Sequence, residues 1–166
     1  MGSIICKIQE AAIDFPVWSV KLSEIDSKNG SGAIVWFIGN VRKINLVSSS
    51  KVNAGEYQEV NGITYECYEV LAEKILNEIG LEAQERFDKK LSLLVIHRIG
   101  YLRVGECSIL IGVSSLHRGP AYEASRYIIE EIKKRVPIWK LEHYSSGQSQ
   151  WLKGQSLNKI FSGTLS

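Results

Sequence analysis

The sequence predicts an α+β domain built on a mixed or antiparallel sheet. Two short apolar runs with strand character, residues 91–97 (LSLLVIH) and 107–115 (CSILIGVSS), are separated by a connector punctuated with glycine. Residues 120–136 instead repeat their apolar positions with helical period. At 166 residues the chain has the length of one ordinary domain, enough to bury a core without staples.

Taken in order, residues 4–8 alternate weakly and read as a first strand. Asp14 and Pro16 then open a short capped helix over 17–25. A turn cluster at 28–32 leads into GAIVWFI (32–38), a continuous apolar run short enough for a buried strand, which ends at Gly39-Asn40 and delivers Arg42 just beyond. Residues 43–60 (KINLVSSSKVNAGEYQEV) lack sustained periodicity and read as a mobile loop. Asn61-Gly62 reads as the turn that introduces a strand over 63–68, and Leu71, Ile75, Leu76, Ile79 and Ala83 space a helix over 69–87.

The runs at 91–97 and 107–115 form an antiparallel pair in this reading, joined by RIGYLRVGE with turn glycines at 100 and 105. Gly119-Pro120 starts a helix that Pro137 stops. Residues 138–144 make a last strand, and from 145 the chain is polar and loop-like apart from Trp151 and a weak apolar cluster at 157–161. The expectation is one domain over 1–151, with the mobile loop at 43–60 and a tail at 152–166.

Composition removes several function classes. With 45% hydrophobic and 23% charged residues, and no apolar run near the roughly 20 residues of a bilayer span, the chain reads as soluble, with no membrane partner. Twenty basic against 18 acidic residues leave a net charge of +2, too small a footprint for nucleic acid. Cys6, Cys67 and Cys107 lack CxxC spacing, which suits structural thiols in a reducing compartment. The N-terminus carries no secretory pattern, so the cytosol is the expected location. No serine-hydrolase order, phosphate-cradling glycine loop or metal-spaced cluster is present, and no cofactor is expected.

What remains is cationic chemistry on an anionic substrate. On the helix over 120–136, Ala121, Ala124, Ser125, Ile128, Ile129 and Ile132 share the core face, and Lys133 sits at its border near the helix C-terminus. Position alone makes Lys133 a snorkelling or solvated lysine. Lys140, between Trp139 and Leu141 on an apolar extended segment, reads either as a desolvated proton donor or as an edge-strand lysine that deters aggregation. His117-Arg118 precedes a helix N-terminus, where backbone N–H groups and the dipole favour a phosphate, and Arg42 offers a further anion contact. His97, at a strand end, reads as a partly buried histidine with a local hydrogen-bond partner.

Five segments in order, GAIVWFIGNVR (32–42), YECY (65–68), HRIGYLRVGE (97–106), VSSLHRGPAYEAS (113–125) and KKRVPIWKLE (133–142), resemble the molybdopterin synthase large-subunit family over residues 4–151. The resemblance implies an α/β hammerhead-type fold and a homodimer within a heterotetramer. It also implies a small ubiquitin-like sulfur-carrier partner, whose C-terminal Gly-Gly enters the site as a thiocarboxylate. The implied reaction is sulfur transfer to cyclic pyranopterin monophosphate, forming the dithiolene of molybdopterin without a metal. Its catalytic lysines fall on Lys133 and Lys140, and its substrate-anion contacts on Arg42, His117 and Arg118.

Helix geometry adds a constraint, since about 13 residues of rise separate His117 and Arg118 from Lys133 by roughly 20 Å. The expected site is therefore composite, with Lys133 and Lys140 of one protomer meeting His117 and Arg118 of another. Two rivals stand beside it: a metal-free phosphodiesterase pairing His117 with His97 or His143, and a non-catalytic module that only docks a ubiquitin-like tail.

Overall fold

The computed structural model describes residues 1–27, 30–46 and 57–152. Its elements are β1 (Ile4–Gln9), α1 (Phe15–Asp26), β2 (Ala33–Asn40), β3 (Ile44–Leu46), β4 (Tyr57–Cys67), α2 (Glu69–Arg86), β5 (Ser92–Arg98), β6 (Gly100–Arg103), β7 (Cys107–Ser115), α3 (Arg118–Arg135), β8 (Ile138–Tyr144) and β9 (Ser149–Leu152). They form two sheets and three helices, the α+β domain that the sequence predicts.

The first sheet runs β1-β5-β7-β2, with β1 parallel to β5 and the other pairs antiparallel. Its central strands are apolar at nearly every position because both faces are covered. On one face Leu93, Val95, Ile109, Ile111 and Val113 meet Leu76, Ile79 and Ala83 of α2 and Ala121, Ala124, Ile128 and Ile132 of α3. On the other, Leu94, Ile96 and Leu110 meet Leu22 of α1, with Trp18 and Trp36 packed alongside. Asp14 caps α1 by accepting from the Val17 backbone N–H at 3.2 Å, with Pro16 in the first turn.

The second sheet runs β3-β4-β8-β9, and β6 also pairs with β4. A smaller core of Val41, Val60, Ile63, Leu102 and Tyr144, with Tyr65 against it, lies on its inner face. Gly100, the first residue of β6, and Gly105, just beyond its end, have φ of 82° and 88°, left-handed conformations that a glycine adopts without strain.

Four expectations need correction. The loop at 43–60 is shorter at both ends, since β3 pairs with the start of β4 in the register Ile44↔Glu59; residues 47–56 lie outside the described residues. Asn61-Gly62 is not a turn but the interior of β4, where the register shifts between Val60 and Gly62. A Cβ at Gly62 would meet the Tyr101 hydroxyl at 2.5 Å and the Leu102 carbonyl oxygen at 2.6 Å, so the glycine serves close packing. The connector between β5 and β7 contains a strand, β6. Finally, the segment after 145 contributes β9, which includes Leu152; the apolar cluster at 157–161 lies outside the described residues.

Candidate active site

Strand β8 carries the sequence IWKLEHY, and its period of two separates Ile138, Lys140, Glu142 and Tyr144 from Trp139, Leu141 and His143. The inward face is the one with the charges. Glu142 is 1% exposed and Tyr144 is buried in the small core, whereas His143 on the other face bonds Thr64 Oγ1 at 2.8 Å and Ser149 Oγ at 3.1 Å. Lys140 is thus a lysine on a core-facing row rather than an edge guard, because β9 covers the outer side of β8.

Burial holds the Lys140 ammonium below the usual lysine range, and the charges of Arg42 and Lys133 push in the same direction. Glu142, with Oε1 3.9 Å from Lys140 Nζ, opposes them. The Glu142 carboxylate also accepts from the Tyr144 hydroxyl at 2.9 Å, and the phenol's proton is held to about 12 by burial and this bond. Sequence reasoning did not single out Glu142; the signal available was K-x-E-x-Y at strand period.

Arg42 reaches this place from the first sheet. Val41, which precedes it, is buried, donates to the Glu106 carbonyl at 3.0 Å and accepts from the Gly105 N–H at 2.8 Å, so the chain leaving β2 is pinned before the exposed arginine. Lys133 comes from the last turn of α3. That turn is tied to α2 by Arg135, whose Nη2 lies 2.9 Å from Glu82 Oε1, while Glu82 also accepts from the Tyr127 hydroxyl at 2.6 Å. The Arg135 bond first, and then the Tyr127 bond, keep the Glu82 carboxyl below the usual range. Three of the five sequence-derived residues, Arg42, Lys133 and Lys140, lie near enough within one chain for the charges of the first two to act on the third.

His117 and Arg118 do not join them. Both are exposed at the N-terminus of α3, where His117 occupies the cap position without a side-chain capping bond. The length of α3 keeps them from Lys133, as expected.

His97 and the three cysteines are held neutral. Burial pushes His97 down to about 4, and its Nδ1 lies 2.9 Å from the Arg98 carbonyl, so that nitrogen carries the proton. His97 pairs with Ile109 and His117 lies beyond the far end of β7, a separation of roughly 20 Å along the strand. Burial raises the Cys6 thiol to about 12 and Cys67 to about 11, with nearby Glu73 and Glu69 adding to it, and also raises Cys107. None of these three thiols is a ready nucleophile at neutral pH.

Known proteins share this arrangement of elements. The family model described as MoaE protein matches residues 8–135. A molybdopterin synthase catalytic subunit from Synechococcus elongatus is 44% identical over 126 residues, covering 76% of this chain and 70% of the relative. Molybdopterin synthase from Staphylococcus aureus superposes with a TM-score of 0.72 at 33% identity, covering 89% of this chain and 96% of the other. A complex of subunits 1 and 2 of the molybdopterin-converting factor from Helicobacter pylori has the same fold, with a TM-score of 0.69 at 23% identity over 91% of this chain and 92% of that one. With more than two thirds of its length matched by the family model and by relatives above 30% identity, the chain belongs to the MoaE family of molybdopterin synthase catalytic subunits.

Proposed function

We propose that this chain is the sulfur-accepting side of molybdopterin synthase. It transfers sulfur from the thiocarboxylated C-terminus of a small ubiquitin-like carrier to cyclic pyranopterin monophosphate, building the dithiolene. The observation that carries this reading is the action of the Arg42 and Lys133 charges on Lys140, beside the inward-facing Glu142. A cationic basin of this kind neutralises an incoming thiocarboxylate, and a lysine of lowered proton affinity is a competent donor to the leaving oxygen. The protonated state of the chain's three cysteines fits a donor sulfur that arrives from outside.

The anion-binding half is supplied, in this reading, by a second copy in a homodimer. Strand β2 ends the first sheet and has no neighbour on its outer edge among the described residues, and Ile34 and Ile38 along it are exposed. In the β2–β7 register, Ala33 stands opposite Ser115, two residues before His117, while Arg42 lies two residues beyond the other end at Asn40. A two-fold axis pairing β2 with β2 antiparallel swaps those ends, bringing the Arg42 end of one protomer beside His117 and Arg118 of the other. The span of β2, about 24 Å over its seven steps at strand rise, is comparable with the roughly 20 Å that α3 imposes.

Mixing the protein with a thiocarboxylated carrier and cyclic pyranopterin monophosphate should yield the dithiolene product. Turnover of the cyclic phosphate without a sulfur donor would instead favour the phosphodiesterase; of the two partners it could give His117, His97 is buried and neutral and lies far from it, and both ring nitrogens of His143 are engaged by Thr64 and Ser149. A Lys140→Ala protein that binds carrier normally yet loses turnover would dispose of the non-catalytic docking module, whereas retained turnover would remove Lys140 from the proposed chemistry.

A further inference from the structure

The last turn of α3 carries three cations in a row, Lys133, Lys134 and Arg135. Lys134 pairs within the helix, with Glu131 at 2.9 Å, whereas Arg135 crosses to α2. Its guanidinium holds Glu82 with both terminal nitrogens, Nη1 on Oε2 and Nη2 on Oε1 at 2.9 Å. Tyr127, about two turns earlier on α3, donates its hydroxyl to the same Oε2 at 2.6 Å. The Tyr127 ring is held in turn at the C-terminal end of α2, edge to face against Phe87 with centroids 5.6 Å apart and with the Arg86 guanidinium 5.2 Å from its own centroid. Burial, and then the Glu82 bond, push the phenol up to about 12, so it stays a donor at neutral pH.

Exposure decides what this cluster can contribute. The Arg135 and Glu82 side chains are 32% and 42% exposed, and water screening leaves an ion pair at such a surface little global stability to add. A planar fork on a carboxylate that also accepts from a phenol supplies direction instead, setting the place of the last turn of α3 against α2. The helix stops there: the Val136 N–H donates to the Ile132 carbonyl at 3.1 Å, Pro137 has no N–H to give, and the chain enters β8 at Ile138. Arg135 thus stands two residues after the exposed Lys133 and five before Lys140, at the joint between the helix and the strand that carry them.

We propose that Arg135, Glu82 and Tyr127 are positioning residues: the clamp they form between α2 and α3 fixes the last turn of α3, and through that turn the reach of Lys133 toward Lys140. The inference rests on reading both lysines as catalytic.

The test uses Arg135→Lys, which keeps the charge and loses the fork, and Tyr127→Phe, which keeps the ring against Phe87 and loses the third bond. Amide hydrogen exchange in the full-length protein reads the turn directly. Exchange at Val136 should quicken by about fivefold or more in Arg135→Lys, and by a smaller factor in Tyr127→Phe, while the amides of β5 and β7 keep their wild-type rates. In the synthase assay kcat of Arg135→Lys falls about tenfold with KM nearly unchanged, and Tm barely moves. Wild-type exchange at Val136 in Arg135→Lys overturns the proposal, as does an unchanged kcat despite faster exchange. Loss of protection in β5 and β7 in step with Val136 overturns it too, since the cluster is then a brace of the whole fold. Exchange needs no turnover, so a wild-type chain without sulfur transfer counts against the proposed function, and the clamp is still decided at Val136.

Discussion

At the scale of the residue, the role proposed for Lys140 works against stability. The folded chain binds its proton less tightly than the unfolded chain does, because burial, Arg42 and Lys133 act only in the fold. The sign follows: this group disfavours folding while the lysine is charged, and the penalty fades as pH rises through its lowered folded value toward the ordinary lysine range. Lys140→Met should therefore abolish turnover and slightly stabilise the protein at neutral pH. The gain is at most about 1 kcal/mol by urea unfolding, since the side chain is 42% exposed and water screens it. Glu142→Gln should act oppositely on the proton. Loss of the carboxylate lowers Lys140 proton affinity further, and the alkaline limb of kcat/KM moves to lower pH. The amide oxygen still accepts from Tyr144, so the fold persists; Glu142→Ala leaves that buried hydroxyl unpaired and costs about 1–3 kcal/mol. Lys140 was legible in the sequence because a lysine between Trp139 and Leu141 is unusual. Glu142 was not, because apolar-in, polar-out alternation assigns the faces of β8 the wrong way round.

At the scale of the element, the structure follows the sequence where a run satisfies itself against a large core and departs where pairing is tertiary. Strands β5 and β7 and helix α3 carry period and apolar content enough to be read directly. Strands β3, β6 and β9 have three or four residues each and exist because β4 or β8 offers an edge, information absent from their own composition. Asn61-Gly62 is the sharpest case. A dipeptide that marks hairpins lies inside an 11-residue strand, where Tyr101 crosses over the glycine to meet His143 at 5.4 Å. Gly62→Ala should destabilise the domain by about 1–3 kcal/mol in urea melts, since one of the clashing atoms is the Leu102 backbone carbonyl, which cannot rotate aside. Wild-type stability in that variant would show that β4 and β6 separate easily.

At the scale of the whole molecule, the two ends of α3 divide the cationic residues into halves that one chain cannot join. Arg42, Lys133 and Lys140 gather near its C-terminus, and His117 and Arg118 stand at its N-terminus about 20 Å away. Two inactive variants distinguish a composite site from one confined to a protomer. Lys140→Ala and Arg118→Ala, each inactive alone, are co-expressed with different tags so that mixed dimers form. In a mixed dimer one site receives both substitutions and the other receives neither, because each site draws Lys140 from one copy and Arg118 from its partner. Random pairing makes about half of the dimers mixed, so the mixture should recover about one quarter of wild-type activity, and purified mixed dimers about one half. A site confined to one protomer gives no recovery at any ratio, since every chain then carries a lesion in its own site. Adding Lys140→Ala to the Arg118→Ala chain supplies the control: the intact site disappears and the recovered activity must vanish with it.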